Sequence, residues 1–161
     1  MHQYIGTKML NAVRMSRAEY NEFRGWQLPA DENGADDGYL VEYLDGGQPN
    51  TPHYSGYVSW SPMAQFDAAY RPTSGMNFGL ALEAMQHGKR VARSGWNGKG
   101  MWLTHVKMAS WTIDPRVNAT GDESLDASPW IGMRTADECF VPWLASQTDM
   151  LATDWVIVGG K

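Results

Sequence analysis

Apolar and polar positions alternate or cluster in short runs along this chain, and most runs are too brief for long helices. "YIGTKMLNAV", near the start, is rich in strand formers and predicts a strand. "MSRAEYNEFRGW" predicts a short helix, with Ser16 as N-cap, Glu19 completing a capping box three residues on, and Gly25 as the stop. The polar run "LPADENGADDG" is turn-forming. "YLVEYLDGG" and "YSGYVSW" predict two further strands. "SPMAQFDAAY" predicts a second helix, with Ser61 as cap and Pro62 at the first helical position, halted at Arg71-Pro72. "RPTSG" resists regular structure and reads as a linker.

A second series starts at Met76. Asn77 is placed to cap "FGLALEAMQH", Gly88 to end it, and Phe78, Leu82 and Met85 fall at i, i+4 and i+7 as one apolar stripe. "KRVARSGW" and "MWLTHVKM", joined by the tight turn "NGKG", predict a hairpin over 89–108. Residues 109–128 are polar and aperiodic, a long loop for so small a unit, and loops of that kind tend to be functional or mobile. "PWIGMRT", "ECFVPWL" and "DWVIVGG" predict three more strands, and "SQTDMLATD" holds room for a helical turn. The expectation is an α+β protein of two small modules, 1–72 and 76–161, each a short helix with antiparallel strands. In the second, an N-terminal helix packs on the sheet. A module of that size leaves much surface exposed, which self-association would cover.

Charge narrows the partners. Residues 1–75 carry five Lys/Arg against nine Asp/Glu, a net of −4, and residues 76–161 carry eight against nine, a net of −1. Neither half has the basic excess of a duplex-DNA binder. Cys139 is the single cysteine, so an intrachain disulfide is excluded and a reducing compartment fits. "MHQYIGTKML" lacks an apolar run of signal-peptide length, and no run reaches a membrane span, so a soluble cytosolic protein is expected.

The chemistry-bearing residues do not form an enzyme motif. His2, His53, His87 and His105 stand at no metal-ligand spacing, so neither a metal nor a cofactor is expected. "GWNGKG" lacks the P-loop spacing, and no G-x-S-x-G elbow occurs. Asp149 and Asp154 flank a helical turn, where they serve either as caps or as an acid/base pair. What stands out is Trp, with eight residues. Trp96 precedes a tight turn, Trp130 follows a proline, and Trp143 lies between a proline and a polar segment. Lys89, Arg90 and Arg93 are close by in sequence. Rings at strand ends stack on flat ligands and arginines take phosphates bidentately, but core packing and a solvated basic face account for the same residues.

"MNFGLALEAMQHGKRVARSGWNGKGMWL" together with "PWIGMRTADECFVPWLASQTDMLATDWVIV" resembles the phage-encoded Thoeris anti-defence proteins of the second type. The likeness covers about 76–108 and 129–158, and many members of that family begin at the residue matching Met76. It implies a small α+β unit that is not an enzyme. Such proteins are sponges: they sequester the cyclic ADP-ribose isomers made by bacterial TIR-domain proteins, acting in the host cytoplasm. Some also take cyclic oligonucleotides (di- and trinucleotides) of CBASS systems at a separate site. They assemble as homotetramers, with the isomer between two subunits. Carried over by residue, the likeness implies that Trp96 stacks on the adenine and that Trp143 forms a second stacking or wall residue. Gln147, Thr148 and Asp149 would bond ribose hydroxyls or base edges. Asn77 and Phe78 would open a helix whose amides face a phosphate, and Arg93 or Arg90 would neutralise the pyrophosphate. The first module, through "YIGTK", "YNEFRGW", "GYLVEYLDGG" and "YVSWSP", resembles a small domain of unknown function common in tailed phages. Two competing classes stay open: an enzyme cleaving the same signal, and a structural or interaction module of the virion.

Overall fold

A computed structural model describes residues 1–96, 100–107 and 128–159. The "NGKG" turn and the 109–128 loop fall largely outside these. The protein is α+β and divides into two units, Met1–Arg71 and Pro72–Lys161.

In the first unit, β1 (Leu10–Arg14), β2 (Gly38–Tyr43) and β3 (Tyr57–Pro62) form an antiparallel sheet in the order β1-β2-β3. The helix α1 (Arg17–Arg24) follows β1 and α2 (Met63–Ala69) follows β3. Alternation along β2 sends Leu40 and Glu42 to one face and Tyr39 and Val41 to the other. Tyr20 of α1 packs with Leu40 and Val58 on the first face. On the second, Tyr39 stacks on Phe66 of α2 with ring centres 4.2 Å apart. The capping box forms as its sequence predicts: Ser16 Oγ accepts from the Glu19 amide, and Glu19 accepts from the Ser16 amide at 2.7 Å. Gly25 ends α1 at φ 67°, in the left-handed region.

Two expectations for this unit need correction. The first strand begins at Leu10, the residue opposite Tyr43, and not at Tyr4. The α2 cap is not Ser61. Ser61 and Pro62 stay in ladder register with Tyr39 and Gly38, so the strand continues to Pro62 and the helix starts at Met63 without a side-chain cap. Sheet pairing wins over the local capping preference.

Buried in this unit is one carboxylate, Glu42 at 6% exposure. It accepts hydrogen bonds from Asn11 Nδ2, from the Ser55 and Gly56 amides and from Ser55 Oγ, at 2.9–3.2 Å. The Asn11 and Gly56 bonds outweigh burial and hold its pKa below the ordinary value.

In the second unit, α3 (Phe78–Gln86) precedes β4 (Arg90–Arg93), β5 (Trp102–Val106), β6 (Trp130–Arg134), β7 (Phe140–Pro142), the short α4 (Gln147–Met150) and β8 (Trp155–Val158). The five strands form one antiparallel sheet in the order β7-β6-β5-β4-β8. Ala81, Ala84 and Met85 of α3 bury against Val91, Leu103 and Trp155. The inward face therefore differs from the stripe that the large apolar residues predict. Met85 belongs to it, whereas Phe78 and Leu82 flank it half-buried. The two alanines let the helix sit close to the sheet.

The "RPTSG" segment is not a free linker. The Met76 amide donates to the Trp155 carbonyl at 2.7 Å, the Trp155 amide donates back at 3.1 Å, and the Ile157 amide donates to the Thr73 carbonyl at 2.9 Å. Residues 73–76 thus run along the outer side of β8 and satisfy an edge that would otherwise stand open.

Candidate functional site

Trp155, at 0% exposure, is the centre on which most of the singled-out residues converge. It lies on the face of the sheet that α3 covers. Phe78, the first residue of α3, lies 5.4 Å from it. Trp96 meets it edge-to-face at 5.6 Å, and Trp143 does so at 6.1 Å. Phe78 also touches Trp143 at 5.9 Å. Trp96 and Trp143 are themselves half-buried, so each retains ring area at the surface. Such pairs prefer edge-to-face geometry because ring faces are negative and ring edges positive.

A polar frame holds this cluster. The Trp155 indole N–H donates to the Asp149 carbonyl at 3.0 Å. Arg93, opposite Trp155 in the β4–β8 register, bonds Asp149 Oδ1 through Nη1 at 2.9 Å and Asp154 Oδ1 through Nε. The guanidinium stands 5.9 Å from the Trp155 ring centre. Asp154 also accepts from the Gly95 amide at 3.2 Å and from Ser94 Oγ at 3.3 Å. It therefore fixes the two residues that precede Trp96. Ser146 caps α4: its Oγ accepts from the Asp149 amide at 3.1 Å and bonds Asp149 Oδ2 at 2.7 Å.

The electrostatics follow from this frame. The Arg93 guanidinium, outweighing burial, keeps the Asp154 carboxyl below its ordinary pKa. Burial pushes the Asp149 carboxyl up, but bonds from Ser146 and Arg93 overcome that and leave it lowered. Both are carboxylates near neutrality, so neither offers a proton, and the capping and positioning roles fit them better than an acid/base pair. Arg93 in turn is engaged by two carboxylates. Its geometry supports positioning of Trp96 and α4 over reception of a pyrophosphate.

The other singled-out residues divide. Gln147 and Thr148 are exposed on α4, beside Asp149, and α4 packs against α3. Asn77 caps α3, its Oδ1 accepting from the Leu80 amide at 2.9 Å. Arg90 is not brought to the cluster within one chain. It sits an odd number of residues from Arg93, on the other face of the sheet, with its guanidinium 5.1 Å from the Trp102 ring centre. Trp130 packs on Phe140, which lies over Gly132 on that same far face. Sequence reasoning missed Trp155 and the positioning role of Asp154. The strand run "DWVIVGG" marks Trp155 as core without showing that everything else gathers round it. Among the described residues, no three His, Cys, Asp or Glu side chains group to hold a metal ion, and no helix is long and apolar enough to cross a membrane.

The second unit is thus an α+β module with a tryptophan-walled surface beside a polar helical turn. Residues 76–158 match the family of the Thoeris anti-defense 2-like domain. The chain is 40% identical over 87 residues to Thoeris anti-defense 2 of Bacillus phage SP01, a match covering 52% of this chain and 94% of that protein. The chain belongs to the Thoeris anti-defense 2-like family.

Proposed function

We propose that the second unit sequesters a cyclic ADP-ribose isomer without cleaving it, and so denies the signal to a Thoeris effector in the infected cell. Family membership supports a phage anti-Thoeris role, and the finer reading rests on one observation. Trp96 and Trp143, both half-buried, are held against a fully buried Trp155 by a frame of ion pairs. Rigid rings of this kind bind a flat base at little entropic cost. Gln147 and Thr148 supply hydrogen bonds to ribose or base edges, while Arg93, Asp149 and Asp154 position the wall. The amides opening α3 at Phe78 face a phosphate. Cyclic di- and trinucleotides are the second ligand class to try.

Leu144, next to Trp143 in the chain, is 91% exposed, and Leu151, which ends α4, is 81% exposed. Two apolar side chains so exposed beside the wall favour a second subunit there, in keeping with a homotetramer that binds ligand between chains. Titration calorimetry with cyclic ADP-ribose isomers tests the reading. Tight binding, followed by heat release of intact ligand, supports a sponge. Release of a cleaved product makes it an enzyme, and no binding of any isomer or cyclic oligonucleotide overturns it.

A further inference from the structure

The first unit holds a groove of its own, of about 630 Å³, lined by α1, by the loop after it and by β3. Arg17, Asn21 and Arg24 stand at i, i+4 and i+7, so one face of α1 forms its wall. Trp26, Tyr57 and Trp60 line it from other segments.

The unit is acidic, yet two of its five cationic side chains line this groove. Each is laid on a tryptophan. Arg17 lies 4.4 Å from the Trp60 ring centre, and Arg24 lies 4.2 Å from that of Trp26. Stacking covers the weakly hydrated faces of a guanidinium and leaves its in-plane N–H groups for an anion. Arg17 is matched by Glu32 at 2.5 Å, but its buried Nε–H has no acceptor among the described residues. Arg24 donates to Tyr20 Oη at 3.0 Å and forms no ion pair with any described residue. The positive charge of Arg24 therefore stands unneutralised in the groove. Trp26, at 54% exposure, supplies a half-open ring. The volume lies within the range of small-molecule sites.

We propose that this groove binds a free nucleoside monophosphate or a ligand of that chemistry, its phosphate on Arg24 and its flat ring against Trp26. The groove belongs to the first unit, whereas Trp96 belongs to the second.

Titration of the full chain with AMP, GMP, CMP and UMP is the test, run beside inorganic phosphate, adenosine and a 5′-phosphorylated hexanucleotide. At least one mononucleotide binds saturably, and more tightly than phosphate or adenosine. Arg24→Ala weakens that binding about tenfold or more, the loss expected for a charged hydrogen bond. Arg24→Lys keeps the charge but not the stacked fork and recovers part of the loss. Trp26→Ala weakens it about tenfold, and Trp96→Ala leaves it unchanged. No mononucleotide binding at millimolar concentration, or full affinity in Arg24→Ala, overturns the proposal. So does equal loss in Trp96→Ala, which moves the ligand to the second unit. Tighter binding of the hexanucleotide than of any mononucleotide overturns the assignment to a free nucleotide.

Discussion

The indole N–H of Trp155 reaches the main-chain carbonyl of Asp149, six residues earlier, at 3.0 Å. This bond ties the central tryptophan to the turn that carries Gln147, Thr148 and Asp149. Trp155→Phe keeps an aromatic ring but removes the donor and opens space in a fully buried site. The expected cost is about 2–4 kcal/mol, the sum of a truncated core ring and one lost hydrogen bond. Urea unfolding followed by circular dichroism measures it.

Trp96 and Trp143 should behave differently, because each keeps part of its ring at the surface. Trp96→Ala is expected to cost about 1–2 kcal/mol, well under the 3–5 typical of a buried ring. If the sponge reading holds, it also lowers affinity for the cyclic nucleotide at least about tenfold, the usual worth of a stacking contact. Calorimetry and a melting curve on the same variant separate the two effects. A large stability loss with unchanged affinity would return Trp96 to the core and favour the structural-module reading.

Arg93 gives a pH signature. Its two partners, Asp149 and Asp154, have folded pKa values below ordinary. A depressed carboxylate contributes stability that is present above the unfolded pKa of about 3.9 and lost as pH falls through the folded value. Arg93→Met removes the main cause at Asp154 and one of the causes at Asp149, and leaves two carboxylates without their cation, so the variant is less stable than the native chain at pH 7. The gap should narrow as pH falls below about 4. Other acid-sensitive groups, Glu42 among them, are common to both proteins and cancel in the difference. Paired thermal melts between neutral and acidic pH check it, and a gap that stays constant would deny the ion pairs a stabilising role.

Much of this architecture was legible in residue order. The Ser16–Glu19 box, the Asn77 cap and the Gly25 stop are local devices, read from three or four residues, and each forms. The strand runs of the second unit are equally local. What local reading misses is set by distant partners. Ser61 would cap a helix if it were not paired with Tyr39 twenty-two residues earlier. The alanine face of α3 is invisible to a search for large apolar residues, because close helix approach selects small ones. Arg90 and Arg93 are neighbours in sequence, but the pleat of β4 sends them to opposite faces. Trp96 and Trp143 were visible as turn-flanking rings, while the residue that unites them, Trp155, was hidden inside an ordinary apolar strand.

Gly56 and Gly132 test how far the surroundings can yield. A Cβ on Gly56 would come within 2.1 Å of the Tyr43 carbonyl oxygen, and one on Gly132 within 2.2 Å of the Phe140 ring. The distances are alike but the obstacles are not. Phe140 is 48% exposed on an edge strand, so its ring can swing outward. The Tyr43 carbonyl is main chain at the end of β2, and the Gly56 amide is one of the donors to buried Glu42. Moving either strand there disturbs both the ladder and the carboxylate. Gly56→Ala is therefore expected to destabilise the first unit by about 2–3 kcal/mol, and Gly132→Ala to cost the second about 1 kcal/mol or less. Native-state hydrogen exchange resolves the two units: Ser55 and nearby amides should exchange faster in the first variant, with little change at the β6 amides in the second. Equal costs at both sites would mean that the Phe140 ring is held as firmly as main chain.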